Sequence, residues 1–178
     1  MKILLLLLSL LLAGLLPAAA AESAAIVLLD DRESVTVNPD GTFETTDHCV
    51  YRILNYDGLM KMRVLPMHFN SSYGTLQVTG LSITKSDGRV ITLDPVKNSS
   101  VSTENSQFSS EIFDPAQKVL SLTIPGLEIG DTLTVSTLEK VTRARMPGQW
   151  SDIAVMQADF PIANYSCFNW RKYWRKLA

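Results

Sequence analysis

The chain has no surplus of charge of either sign. Its 178 residues carry 16 Lys and Arg against 18 Asp and Glu, a net charge of −2. A nucleic-acid binder needs a basic face to displace counterions, so that class of partner is set aside. Two cysteines are too few for a disulfide scaffold. Two histidines, His48 and His68, have no ligand spacing and give no zinc signature. Nine Gly and eight Pro exclude collagen-like and low-complexity classes. No phosphate loop, nucleophile elbow or dinucleotide fingerprint is present, so no cofactor or metal is expected. After the first twenty residues there is no long apolar run, so no transmembrane segment is expected in the mature chain.

The first twenty residues supply much of the 46% hydrophobic content. Met1-Lys2 is a short positive stretch, Ile3 to Leu16 is almost wholly apolar, and Pro17 ends it. Ala18 to Ala21 then offers the small residues that signal peptidase requires. A spanning helix needs roughly twenty apolar residues, so residues 1–21 are read as a signal peptide and the protein as secreted or periplasmic. No Cys follows the run, so a lipoprotein anchor is not indicated. Cleavage after Ala21 leaves 157 residues and removes Lys2, which moves the net charge to −3. Cys49 and Cys167 then meet an oxidising compartment. They could pair across a long loop, and the pairing is left open because Cys167 lies in an atypical C-terminal stretch.

The mature chain reads as strands and turns, with no helical apolar stripe over three turns. Ala24 to Leu29 is apolar, Asp30 to Glu33 a polar break, and Ser34 to Val37 β-branched. Asn38-Pro39-Asp40-Gly41 predicts a hairpin corner. Thr42 to Leu54 is the longest strand candidate. Phe43, Cys49, Tyr51 and Ile53 share one parity, while Glu44, Thr46, His48 and Arg52 share the other. Asp47 sits on the apolar parity and marks an edge or a bulge. Asn55 to Gly58 reads as a turn, and Leu59 to Phe69 as a strand kinked or edged at Pro66. Leu76 to Thr84 is a strand with a bulge at Gly80. Ser86 to Arg89 predicts a hairpin turn answered by Val90 to Leu93. Asp94 to Ala116 is the longest irregular segment, anchored by few apolar residues, among them Val101 and Phe108. Lys118 to Ile124 and Thr132 to Val141 flank a two-glycine turn. About eight short strands imply an all-β antiparallel sandwich over residues 22–162.

Catalytic constellations are sparse. His48 and Cys49 are neighbours on a strand and so face opposite sides, which argues against a Cys/His nucleophilic pair. Asp30, Asp31 and Glu33 are read as a solvated turn rather than a cation site. Asn70, Asn98 and Asn164 begin glycosylation-type triplets that are read as polar loops.

Several phrases in this order resemble a known module. They are Ile26 to Asp30, Val35 to Gly41, Val50 to Asn55, Lys85 to Val90 and Leu120 to Asp131. The chain resembles the domain of unknown function found N-terminal to transglutaminase-like, papain-fold domains in secreted bacterial proteins. The resemblance implies a β-sandwich without catalytic residues, the Cys-His-Asp chemistry belonging to a following domain. Residues 163–178 do not resemble the family. They hold Trp170, Trp174 and four positive charges. They are read as the end of a truncated product, with a membrane-surface patch as the second reading.

The function expected is thus a non-catalytic secreted sandwich module that interacts with protein, peptide or glycan. Its partner would be a downstream transglutaminase-like domain or a cell-envelope protein or glycan. One alternative is a cysteine-dependent protease or transglutaminase-like enzyme whose catalytic domain lies outside this chain. Another is a carbohydrate-binding sandwich. Tyr56, Tyr73 and Trp150, aromatics near turns, and Phe108, in the long loop, are the candidate interaction residues. N-terminal sequencing of the exported protein should read Glu22 as the first residue; a mature chain that retains Met1 would overturn the leader assignment.

Overall fold

The computed structural model describes residues 24–105, 113–151 and 159–171. Nine strands and one short helix are found among them: β1 (Ile26–Val37), β2 (Phe43–Ile53), α1 (Tyr56–Met62), β3 (Val64–Asn70), β4 (Gly74–Thr84), β5 (Val90–Thr92), β6 (Ser99–Thr103), β7 (Gln117–Thr123), β8 (Thr132–Val141) and β9 (Tyr165–Arg171). They form a six-stranded sheet in the order β5-β4-β8-β2-β1-β9 and a three-stranded sheet in the order β3-β7-β6. The expected all-β sandwich is the observed fold.

The β1–β2 hairpin turns at Asn38 to Thr42. Asn38 N–H donates to the Thr42 carbonyl at 2.8 Å. Gly41 takes φ +88°, the left-handed position that a three-residue hairpin loop requires. Asp40 Oδ1 accepts from both the Thr42 N–H and its hydroxyl, at 2.9 and 2.7 Å. Those bonds hold the Asp40 carboxyl below its ordinary pKa. The turn sets β2 in register with β1 from Val37 opposite Phe43 to Ile26 opposite Ile53. Alternation then sends Phe43, Thr45, Asp47, Cys49, Tyr51 and Ile53 to the inner face. Across β8 their partners are Val141, Glu139, Thr137, Val135 and Leu133.

The inner face has two halves. At one end Ile26, Ile53, Leu81, Ile83, Leu133 and Val135 pack against Leu120, Leu122, Ile124 and Leu127, and α1 adds Met62. Lys85 pins the turn that closes this end. Its ammonium donates to the Gly126 carbonyl at 2.7 Å and to Glu128 and Asp131 at 2.8 Å each. Glu128 and Asp131, scattered carboxylates in sequence, are therefore two jaws of one structural clamp. Further along, the inner face turns polar: Asp31 lies opposite Cys49 and Glu33 opposite Asp47. Tyr165 of β9 donates its hydroxyl to Glu33 at 3.1 Å.

Four sequence expectations are corrected. Asp30 to Glu33 is not a break, because β1 runs through it with a bulge between Leu28 and Asp30. The bulge puts Asp30 outside, bound to Arg32 and Asn164, and Asp31 inside against Cys49. Asn55 to Gly58 is not a turn: the Asn55 side chain caps α1 by accepting from the Gly58 N–H at 3.0 Å. The Met60-Met62-Val64 alternation therefore spans a helix and the start of a strand. The Asp94 to Ala116 segment contains β6, which pairs with β7. Residues 165–171, placed in a tail, form β9, which runs parallel to β1. The sheet thus extends past Ile162.

Other expectations agree with the structure. Pro66 lies in β3, which among the described residues pairs only with β7 and so forms an edge of its sheet. A register shift occurs at Val78/Gly80, and Gly88 takes φ +88° in the β4–β5 turn. Cys49 and Cys167 are both free thiols. They sit on β2 and β9 with β1 between them. Two strand spacings are about 10 Å, beyond disulfide reach.

Two predictions follow from this packing. A Cβ at Gly58 would lie 2.0 Å from the Ala25 carbonyl oxygen, a backbone atom. Gly58→Ala should destabilise the domain by about 2 kcal/mol, seen as a lower Tm. Burial foremost, then the facing Glu33 carboxylate, raises the Asp47 pKa to about 6. The folded state therefore holds that proton more tightly than the unfolded chain, and stability attributable to Asp47 declines as pH rises from about 4 to 6. Asp47→Asn should raise stability at pH 7 by about 1 kcal/mol, discounted because water reaches part of the carboxylate. It should also flatten the Tm profile across that window; an unchanged profile would contradict the assignment.

Candidate functional site

Two of the four sequence candidates meet. Tyr73 precedes β4, and Trp150 follows β8 by nine residues. Both line a cleft of about 310 Å³ at the hairpin end of the sandwich, together with Phe43, Val141, Arg145 and Met146. Asn70, Gln149 and Ser151 add uncharged polar groups, and Glu139 a carboxylate. Phe43 and Trp150 pack edge to face, with ring centroids 6.4 Å apart.

Local chemistry explains why the chain folds this way. The turn after β3 is held by the Asn70 side chain, which accepts from the Ser72 N–H at 2.9 Å. The Tyr73 carbonyl then accepts from the N–H groups of Thr142 and Arg143, at 2.9 and 3.0 Å. That lashes the start of β4 to the chain leaving β8. Arg143 and Arg145 sit over the Tyr73 ring, 5.7 and 5.1 Å from its centroid. The wall at residues 146–149 rests on Gly41. A Cβ there would lie 2.7 Å from the Gln149 carbonyl oxygen, and the Gly148 N–H donates to the Asp40 carbonyl at 2.9 Å. A side chain at position 41 would push this wall away.

The other two candidates are elsewhere. Tyr56 opens α1, past the far end of β2, and is 64% exposed. The eleven residues of β2 put it roughly 35 Å from the cleft. Phe108 lies outside the described residues. Sequence reasoning missed Phe43, Arg143, Arg145 and Met146. Phe43 reads as one of several inward residues on a strand, and the two arginines as loop charge. Only the fold brings them to Tyr73.

The Cys/His pair is divided between faces. Cys49 points inward, its thiol 3.4 Å from Asp31 Oδ1. Burial, reinforced by the Asp31 charge, pushes that thiol up to about 12, so it is not a thiolate at neutral pH. His48 points outward, with Nδ1 3.0 Å from Ser136 Oγ. It lines a shallow concavity on the outer face with Thr46, Leu138 and the exposed Phe168. His68 pairs with Glu104 at 2.6 Å on the outer side of β3. Among the described residues no group of three His, Cys, Asp or Glu side chains is placed to hold a metal ion. Among them, too, no helix is long and apolar enough to cross a membrane.

Comparison with known proteins bears on the fold. The sandwich is similar to a candidate protease of Parabacteroides distasonis, with TM-score 0.59 and 13% identity over 67% of this chain and 24% of that one. Weaker likenesses are to an M1 zinc metallopeptidase of Deinococcus radiodurans and to leukotriene A4 hydrolase of Saccharomyces cerevisiae. The first has TM-score 0.32 and 13% identity, covering 66% of this chain and 21% of that one. The second has TM-score 0.30 and 14% identity, covering 72% and 18%. The chain thus spans about a quarter or less of the length of each. No curated protein matches in sequence. Residues 39–167 match DUF3857, a domain of unknown function with a solved structure. That match runs from the β1–β2 turn into β9, and the chain belongs to the DUF3857 family.

Proposed function

We propose that this chain is an exported, non-catalytic β-sandwich module that binds a polypeptide or glycan in the hairpin-end cleft. In this reading it serves as an accessory to a larger protein, next to a transglutaminase-like catalytic domain. The observation that carries it is the meeting of Tyr73 and Trp150, 77 residues apart in sequence, in one concave site walled by turns. Loops held on a rigid sandwich are the usual place for recognition. The high pKa of Cys49 and its separation from His48 favour binding over thiol chemistry within this chain. The small share that the sandwich occupies in the Parabacteroides protein suits a module of a larger design. The Met1–Ala21 pattern supports export.

The carbohydrate-binding alternative draws on the same two aromatics. The enzyme alternative would need a catalytic domain beyond this chain. Peptide and glycan arrays probed with the full chain test the reading. Trp150→Ala should weaken retained ligands at least tenfold, because it removes an aromatic wall. Tyr56→Ala, at the far end, should leave binding unchanged. Retention that ignores Trp150, or that depends on Tyr56, would move the site out of the cleft.

A further inference from the structure

We infer that the cleft recognises an acidic polypeptide segment, taking a carboxylate on Arg143 and Arg145 and an adjacent apolar side chain between Phe43, Val141 and Trp150. This rests on the reading of the cleft as a binding site. Both guanidiniums lie over the Tyr73 ring, and among the described residues neither has a carboxylate partner. An arginine held by an aromatic ring keeps its planar fork of N–H donors and has already lost part of its side-chain freedom. Such a fork matches a carboxylate with two parallel hydrogen bonds. Two of them, two residues apart on one short segment, make a local surplus of positive charge at the rim.

The other residues define the rest of the ligand. Phe43, Val141 and Met146 are apolar, and Met146 is 58% exposed, ready to fold over a side chain. Gln149 carries an amide that can both donate to and accept from a peptide bond. Glu139 lies deeper, opposite Thr45 on β2 and Leu76 on β4, two residues inward from Val141. A pyranose favours a bare aromatic face, and the Tyr73 ring is already covered by guanidinium groups. That favours a polypeptide over a sugar as the occupant.

The test uses the full exported chain and fluorescence anisotropy with a labelled peptide of alternating Glu and Leu. Controls are the Gln-Leu counterpart and a labelled uronate oligosaccharide. The Glu-Leu peptide should bind and should weaken as NaCl rises from 0.05 to 0.5 M. The double variant Arg143→Gln/Arg145→Gln should lose at least tenfold in affinity and its salt dependence, with Tm unchanged. Arg143→Lys/Arg145→Lys keeps the charge without the fork and should fall between. Equal, salt-independent and Trp150-dependent binding of both peptides would overturn the carboxylate inference and leave the cleft reading standing. Binding of the uronate alone would overturn the polypeptide occupant. Failure of every probe to bind the wild-type chain would overturn both.

Discussion

Around Gly41 the chain reverses in three residues, and Asn38 and Thr42 close the loop by a backbone hydrogen bond. Everything downstream inherits the register set there. The side-chain period of a strand is two, so a slip of one residue would exchange the faces of β2. It would carry Ile53, Tyr51 and Cys49 to solvent and bring His48, Arg52 and Glu44 inward. The same turn places Phe43 at the mouth of the cleft, and Gly41 leaves the room in which residues 146–149 pack. One left-handed glycine thus serves the core, the division of Cys49 from His48, and the floor of the site.

The six-stranded sheet is longer than the apolar core that covers it. The three-stranded sheet and α1 bury the half around Ile53 and Leu133. The remaining inner half carries Glu33, Asp47 and Thr137, with Val35 and Val37 almost fully buried beside them. A half-buried carboxylate facing another is costly when ionised. The Thr137 hydroxyl donates to Asp47 Oδ2 at 3.2 Å. These polar groups lie on the strand stretch that leads from the core to the cleft.

Wherever a local rule decides the outcome, the sequence is readable. Asp87-Gly88 makes its hairpin, Pro66 confines β3 to an edge, and the alternation of β2 and β8 tells inside from outside. Legibility fails where a competing or distant partner decides. Tyr56 to Met62 is too short for a helical stripe, and its helix depends on the Asn55 cap and on close packing of Gly58 against Ala25. In β6, Ser99 to Thr103 has one apolar residue, Val101, and that is 56% exposed, so no hydrophobic pattern announces a strand. β9 pairs with residues 134 positions earlier, Tyr165 with Asp31, and nothing local could signal it. The cleft was half legible: Tyr73 and Trp150 stood out as aromatics near turns, but their meeting, and their separation from Tyr56, are properties of topology.

β9 also sets where the site lies relative to the rest of the chain. Its parallel pairing places Arg171 opposite Val37, and Val37 lies opposite Phe43. Two strand spacings therefore separate the backbone at Arg171 from the mouth of the cleft, about 10 Å. A strand running the other way would have put that exit at the Ile26 end, beside α1 and far from Tyr73. For a module joined to a further domain through this strand, a ligand held at the cleft would be presented beside the junction. The direction of one edge strand, set by the Leu28–Pro161 and Asp31–Asn164 backbone bonds that lead into it, thus places Arg171 at the cleft end of the sheet and not at the α1 end.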